Sequence, residues 1–237
     1  MNPNMTLNEF KVIFYWEYIH RILGRLIGIF FFIPLIYFHF FKKIKEINFF
    51  PYYIIFLLIL IQGFIGWFMV QSGLVNDVTV SHYRLSVHLS FAILIISIIF
   101  WQILNINKNS SKSFFNFNNK KLPYFILIFL IFFQIVLGAF VSGLDAGKVY
   151  QTWPLMGYNY FPNDVDINKI NDFFDFNNHS LVQFYHRNVA YIITIYIFVL
   201  SYFIFKNKSV HLYKPFFLVF LFLSIQIVIG IFTLLSG

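Results

Sequence analysis

The sequence predicts an all-α, polytopic membrane protein: a helical bundle with six transmembrane helices, drawn from a duplicated four-helix unit. Three observations carry that reading. Of the 237 residues, 59% are apolar, 23% are aromatic and only 11% are charged, and the mean hydropathy is +0.75, whereas a soluble domain carries roughly a quarter charged residues. The apolar residues gather into six runs, each near the ~20 residues a span requires. The charges retreat to the short links between those runs.

The runs cover roughly 17–41, 52–72, 83–104, 122–143, 181–205 and 214–236. Helix is the open-ended structure that satisfies its own backbone groups in lipid. Lysines follow the first run (Lys42, Lys43, Lys45), the third (Lys108, Lys112, Lys120, Lys121) and the fifth (Lys206, Lys208, Lys214). Lysine-rich links of this kind mark the cytoplasmic or matrix side. The other links carry mainly acids: Asp77, then Asp145, Asp164, Asp166, Asp172 and Asp175. The N-terminus is therefore expected outside, with the first, third and fifth helices running inward. The first run is a full span with no small-residue cleavage site after it, so no cleavable leader is expected.

The net charge of +8 does not point to nucleic acid, because the lysines lie beside spans. With no cysteine, disulfides and thiolate metal sites are excluded. The link at about 144–180 is long, and long links are commonly functional covers or disordered connections. It holds Pro154 and Pro162, and its Tyr150, Trp153, Tyr158 and Tyr160 predict a cap at the membrane interface.

An internal repeat organises the runs. QGFIGWFMVQSG from Gln62, QIVLGAFVSG from Gln134 and QIVIGIFTLLSG from Gln226 each place Gly four residues after Gln and Phe two further on. Small residues allow close helix packing, and a glutamine adds an interhelical hydrogen bond. A second pattern links the first and fifth runs: EYIHRILGRLIG from Glu17 and QFYHRNVAYIIT from Gln183. Each has a His-Arg pair just inside the outer end. A stripe of small residues then follows the histidine on one helix face: His20, Gly24, Gly28 and His186, Ala190, Thr194. Histidine runs and Gln/Gly runs alternate, so the sequence reads as the middle six helices of eight.

His20, His88 and His186 fall near the outer ends of three helices of like direction. Ionisable residues inside a span are costly and mark functional sites. Paired imidazoles from facing helices, without cysteine and with few carboxylates, suit haem iron better than zinc, which takes three or four convergent ligands. His20 and His88 form one pair; His186 has no partner at matching depth. His39 and His211 lie at the cytoplasmic side, and His82 and His179 are expected in loops. Arg21, Arg25, Arg84 and Arg187 either snorkel to headgroups or pair with haem carboxylates. Glu17, three residues before His20, lies on nearly the same face. It is either an interfacial acid paired with an arginine or a proton acceptor beside a bound cofactor.

Together MTLNEFKVIFYWEYIHRILGRLIG, VSHYRLSVHLS, LGAFVSGLDAGKVYQTWPLMG and VQFYHRNVAY resemble the haem A synthase family, of the cysteine-free proteobacterial and mitochondrial type. The resemblance implies an oxidoreductase that converts the methyl group at ring position 8 of haem O, through an alcohol, to a formyl group, supplying haem A to cytochrome oxidase. It implies a substrate-haem half at 1–121 and a haem B half at 122–237. His20 and His88 then correspond to ligands of the substrate haem, His186 to one ligand of haem B, and Glu17 to the catalytic acid. Arg21, Arg84 and Arg187 are expected beside the haems. The expected partners are the lipid bilayer, a haem O synthase and the cytochrome oxidase assembly machinery, at a bacterial cell membrane or mitochondrial inner membrane. The family's first and last helices, and with the last its fourth histidine, have no counterpart in this sequence. Two other functions remain: a bis-histidine cytochrome b-type electron carrier that leaves its haem unchanged, and a transporter with a histidine proton relay.

Overall fold

A computed structural model describes residues 6–41, 48–71, 80–108, 118–119, 121–165 and 170–237. Among these, six helices are long and apolar enough to cross a membrane: α1 Leu7–Phe41, α2 Phe50–Val70, α3 His82–Lys108, α4 Leu122–Gly143, α5 His179–Lys206 and α6 Tyr213–Ser236. The chain is a multi-pass, all-helical membrane protein. It divides into two compact units, Met1–Phe114 and Phe115–Gly237.

In the first unit, α1 packs on α2 and α2 on α3. Phe31 and Phe32 of α1 stack on Phe56 of α2, at 6.4 and 5.0 Å between ring centres, and Ile55 is buried. The α2 helix opens with proline near its first position, where the missing N–H costs nothing. The α1 helix starts ten residues before the apolar run that announced it. Thr6 and Glu9 close its N-terminus reciprocally: the Thr6 N–H donates to Glu9 Oε2 at 2.8 Å and the Glu9 N–H to Thr6 Oγ1 at 3.4 Å. This is a capping box. Its 35 residues span about 50 Å at ~1.5 Å per residue, well beyond the ~30 Å hydrocarbon core.

In the second unit, α4 and α5 pack along their length, and α6 leans on α5. The core joins Leu127 of α4, Ile193, Ile197, Leu200 and Ile204 of α5, and Phe216 of α6. The Tyr196 hydroxyl donates to the Pro123 carbonyl at 3.0 Å, tying α5 to the start of α4. At the other end, α4 stops at Leu144 and Asp145 takes a left-handed conformation at φ 53°, which aspartate tolerates better than most residues. A 3-10 turn, Ala146–Lys148, follows. The Asn178 side chain caps α5 by accepting from the Leu181 N–H at 2.9 Å.

Two expectations change. His82 and His179 are not loop residues: they open α3 and α5. Lys42, Lys43, Lys45, Asp77, Lys112, Lys120 and Asp166, which helped assign the sides of the membrane, lie outside the described residues.

Candidate functional site

In the first unit, His20 of α1 and His88 of α3 come together. Their ring centres lie 6.5 Å apart, and the rings are inclined at 78°. A metal about 2 Å from each of two imidazole nitrogens holds the ring centres roughly 6 Å apart once the ring radii are added. The spacing therefore fits a bis-histidine haem iron, and no group of three or more metal-binding side chains is found among the described residues. Beside His20, the small-residue stripe is open: a Cβ added at Gly24 or Gly28 meets nothing within 4 Å.

His88 is held from α2. Gln62 Nε2 donates to the His88 carbonyl at 3.0 Å and lies 3.2 Å from its Nδ1 and 3.4 Å from its Nε2. One turn further along α2, Gly66 receives the ring: a Cβ there would stand 2.9 Å from His88 Cε1. Arg84, one turn before His88, donates to the Phe68 carbonyl at 2.8 Å and lies over the Phe68 ring at 3.9 Å. Glu17 is joined to Arg21 at 2.6 Å, both side chains about half exposed.

The second unit repeats the α2–α3 device between α4 and α5. Gln134 Nε2 donates to the His186 carbonyl at 3.0 Å and lies 3.1 and 3.3 Å from the two ring nitrogens. Gly138 faces His186 Cε1, 3.3 Å from where a Cβ would stand. On its own helix, His179 lies about 10 Å away along the axis, at ~1.5 Å per residue, too far to share one iron with His186.

Arg187 makes a different set of contacts. Its Nη1 donates to the carbonyls of Thr152 and Leu155 at 2.8 and 3.3 Å, and its Nη2 to that of Tyr150 at 2.8 Å. Gln183 also donates to the Tyr150 carbonyl, at 3.0 Å, and Tyr160 bonds to Asn188. The described part of the long link is thus a folded cap clamped to the N-terminal end of α5. Met156 is its buried anchor, while Tyr158 and Trp153 stay exposed. Burial, then the hydrogen bond to Asp164, pushes the Tyr150 hydroxyl above its ordinary pKa.

The spacing of the histidines in sequence anticipated the His20–His88 meeting. The contact of Gln62 and Gln134 with imidazole rings was not anticipated, although the Gln/Gly repeat marked both residues. The shared geometry also matches His88, rather than His20, with His186.

The sequence profile of the cytochrome oxidase assembly protein family matches residues 1–237. Among curated relatives, the heme A synthase of Pelagibacter ubique is 48% identical over 242 residues, covering 100% of this chain and 69% of the relative. Those of Rickettsia bellii and Rickettsia felis are 41% and 40% identical, each covering 99% of this chain and 70% of the relative. No solved structure matches. A family match along the whole chain, relatives of one name at this identity, and histidines at haem-ligating distance agree: the chain belongs to the haem A synthase family of cytochrome oxidase assembly proteins.

Proposed function

We propose that this chain is a haem A synthase that takes haem O and oxidises its ring-8 methyl group to a formyl group, yielding haem A for cytochrome oxidase. The observation that carries the reading is the His20–His88 pair, at a ring separation of 6.5 Å and beside an open small-residue stripe. These two histidines are the ligands for the substrate haem, in the half at 1–121. His186 supplies one ligand to a haem B in the half at 122–237. Haem B, when bound, supplies an iron centre able to pass electrons.

The protein's own groups do the rest. Turning a methyl group into a formyl group adds one oxygen atom at the oxidation level of water, releases four protons and passes four electrons to an external acceptor, so a proton acceptor is needed beside the reacting edge. Glu17 takes that role, three residues before His20 and on nearly the same face, anchored by its pair with Arg21. Arg21, Arg84 and Arg187 offer guanidinium forks matched to porphyrin carboxylates. Arg84 and Arg187 share those forks with backbone carbonyls. The cap over α5 excludes water from the outer end of the His186 site. The N-terminus lies outside, the chain sits in a bacterial or mitochondrial inner membrane, and a haem O synthase supplies the substrate.

Co-expression with haem O synthase, followed by pigment extraction, tests this. Haem A is expected in the extract. Haem B alone would assign the chain to the electron carriers, and an extract without haem would remove both readings.

A further inference from the structure

The geometry points to Gln62 and Gln134 as positioning residues, each fixing the rotation and proton position of a histidine ligand on the neighbouring helix. This rests on the ligand roles proposed above for His88 and His186. The three distances from each glutamine nitrogen to its histidine agree between the two units to 0.1 Å. In both, a glycine one turn later faces the Cε1 edge of the same ring. Helix packing alone would be served by the bond to the backbone carbonyl; it does not require contact with both ring nitrogens. In α6, by comparison, Gln226 is exposed and the space beside Gly230 is open.

The amide also answers a difficulty that metal ligation creates. One amide hydrogen goes to the histidine carbonyl; if the other goes to Nδ1, the slightly nearer ring nitrogen, the free ring carries its proton on Nε2. A ring that binds metal through Nε2 carries its proton on Nδ1 and needs an acceptor there. In both glutamines Oε1 is buried and has no hydrogen-bond partner among the described residues, an arrangement that calls for an explanation. Rotation of the amide about its last bond exchanges oxygen for nitrogen; a further small turn of the side chain, which carries Oε1 off the histidine carbonyl oxygen 3.0 Å away, places that acceptor against Nδ1. The histidine carbonyl, inside its own helix, keeps its bond in the backbone ladder. One side chain therefore matches both the free and the metal-bearing ring.

The test uses haem-free protein in detergent, with 15N-labelled histidine and ring signals assigned by single His→Ala variants. In the wild type, His88 and His186 should each show one tautomer, protonated at Nε2. Gln62→Leu should turn the His88 signal alone into a mixture, and Gln134→Leu the His186 signal alone. Gln62→Glu, which accepts but cannot donate, should move the His88 proton to Nδ1. Added haemin should then bind the affected unit of the Leu variants about 10–100-fold more weakly, with partial recovery in the Glu variant. Unchanged ring signals in either Leu variant, or a His88 proton that stays on Nε2 in Gln62→Glu, would overturn the inference. The Glu variant decides the matter if a Leu variant fails to insert. Should the tautomers respond as expected while the wild type binds no haemin, the ligand roles fail and the glutamine–histidine coupling stands.

Discussion

Replacing His20 by alanine should reduce haem A formation more than about 100-fold, beyond the usual cost of losing a ligand's outer partner, while the protein inserts normally. The two halves of that expectation have separate causes. His20 is exposed on α1, so its removal should change stability by no more than about 0.5 kcal/mol. Its ring is nevertheless one of the two that stand 6.5 Å apart, and alanine offers nothing to a metal. His88→Ala should lose haem A equally but also some stability, because its ring fills the space between Gln62 and Gly66. Glu17→Ala should likewise abolish most haem A formation while sparing haem binding, because the carboxylate is assigned to proton transfer and not to ligation. His39→Ala is the control. That ring packs among Phe49 and Tyr53 near the far end of α1, and its loss should leave haem A within about twofold. Extracted pigment, normalised to inserted protein, gives the comparison; a normal yield from His20→Ala would remove the pair from the site.

Gly66→Ala should be nearly as damaging to haem binding as loss of a ligand, without unfolding the bundle. The added Cβ would stand 2.9 Å from His88 Cε1, closer than carbon atoms pack. What must give way is a side chain, so α2 and α3 can stay paired while the ring turns out of place. At Gly138 the same change meets His186 at 3.3 Å, a contact that a small shift relieves, and a weaker effect is expected. Gly63→Ala, on the same helix with nothing within 4 Å, should bind haem normally and gain about 0.5–1 kcal/mol of helix stability. Haemin titration of the three variants should rank them Gly66→Ala weakest, Gly138→Ala intermediate and Gly63→Ala unchanged. Equal affinities for Gly66→Ala and Gly63→Ala would mean that the ring does not work from its observed place.

Much of this was legible in the sequence because a bilayer leaves few choices. Apolar runs of span length must become helices, and within the first unit His20 and His88, near the starts of two helices expected to run the same way, come to one level. Five of the six helix starts fall within two residues of the apolar runs that signalled them. The exception is α1, whose first ten residues mix Asn8, Glu9 and Lys11 with aromatics and so carry no span signal; the Thr6–Glu9 capping box that closes its start was not read from the sequence. Side-chain destinations were harder. The Gln/Gly repeat identified Gln62 and Gln134, but no spacing within one helix says which ring lies opposite on the next. Arg187 was expected beside haem carboxylates by residue type alone. The carbonyls it binds, at Tyr150, Thr152 and Leu155, sit on an irregular link whose path has no periodicity to read.

The central claim is that His20 and His88 clamp one haem iron between them, and the electron paramagnetic resonance spectrum of haemin bound to the His186→Ala chain tests it most directly. That variant removes the only ligand assigned to the second haem. A low-spin signal of two axial imidazoles is expected, and it should vanish when His20→Ala is added. A high-spin signal in the single variant, or a low-spin one that survives the double substitution, would contradict ligation by this pair.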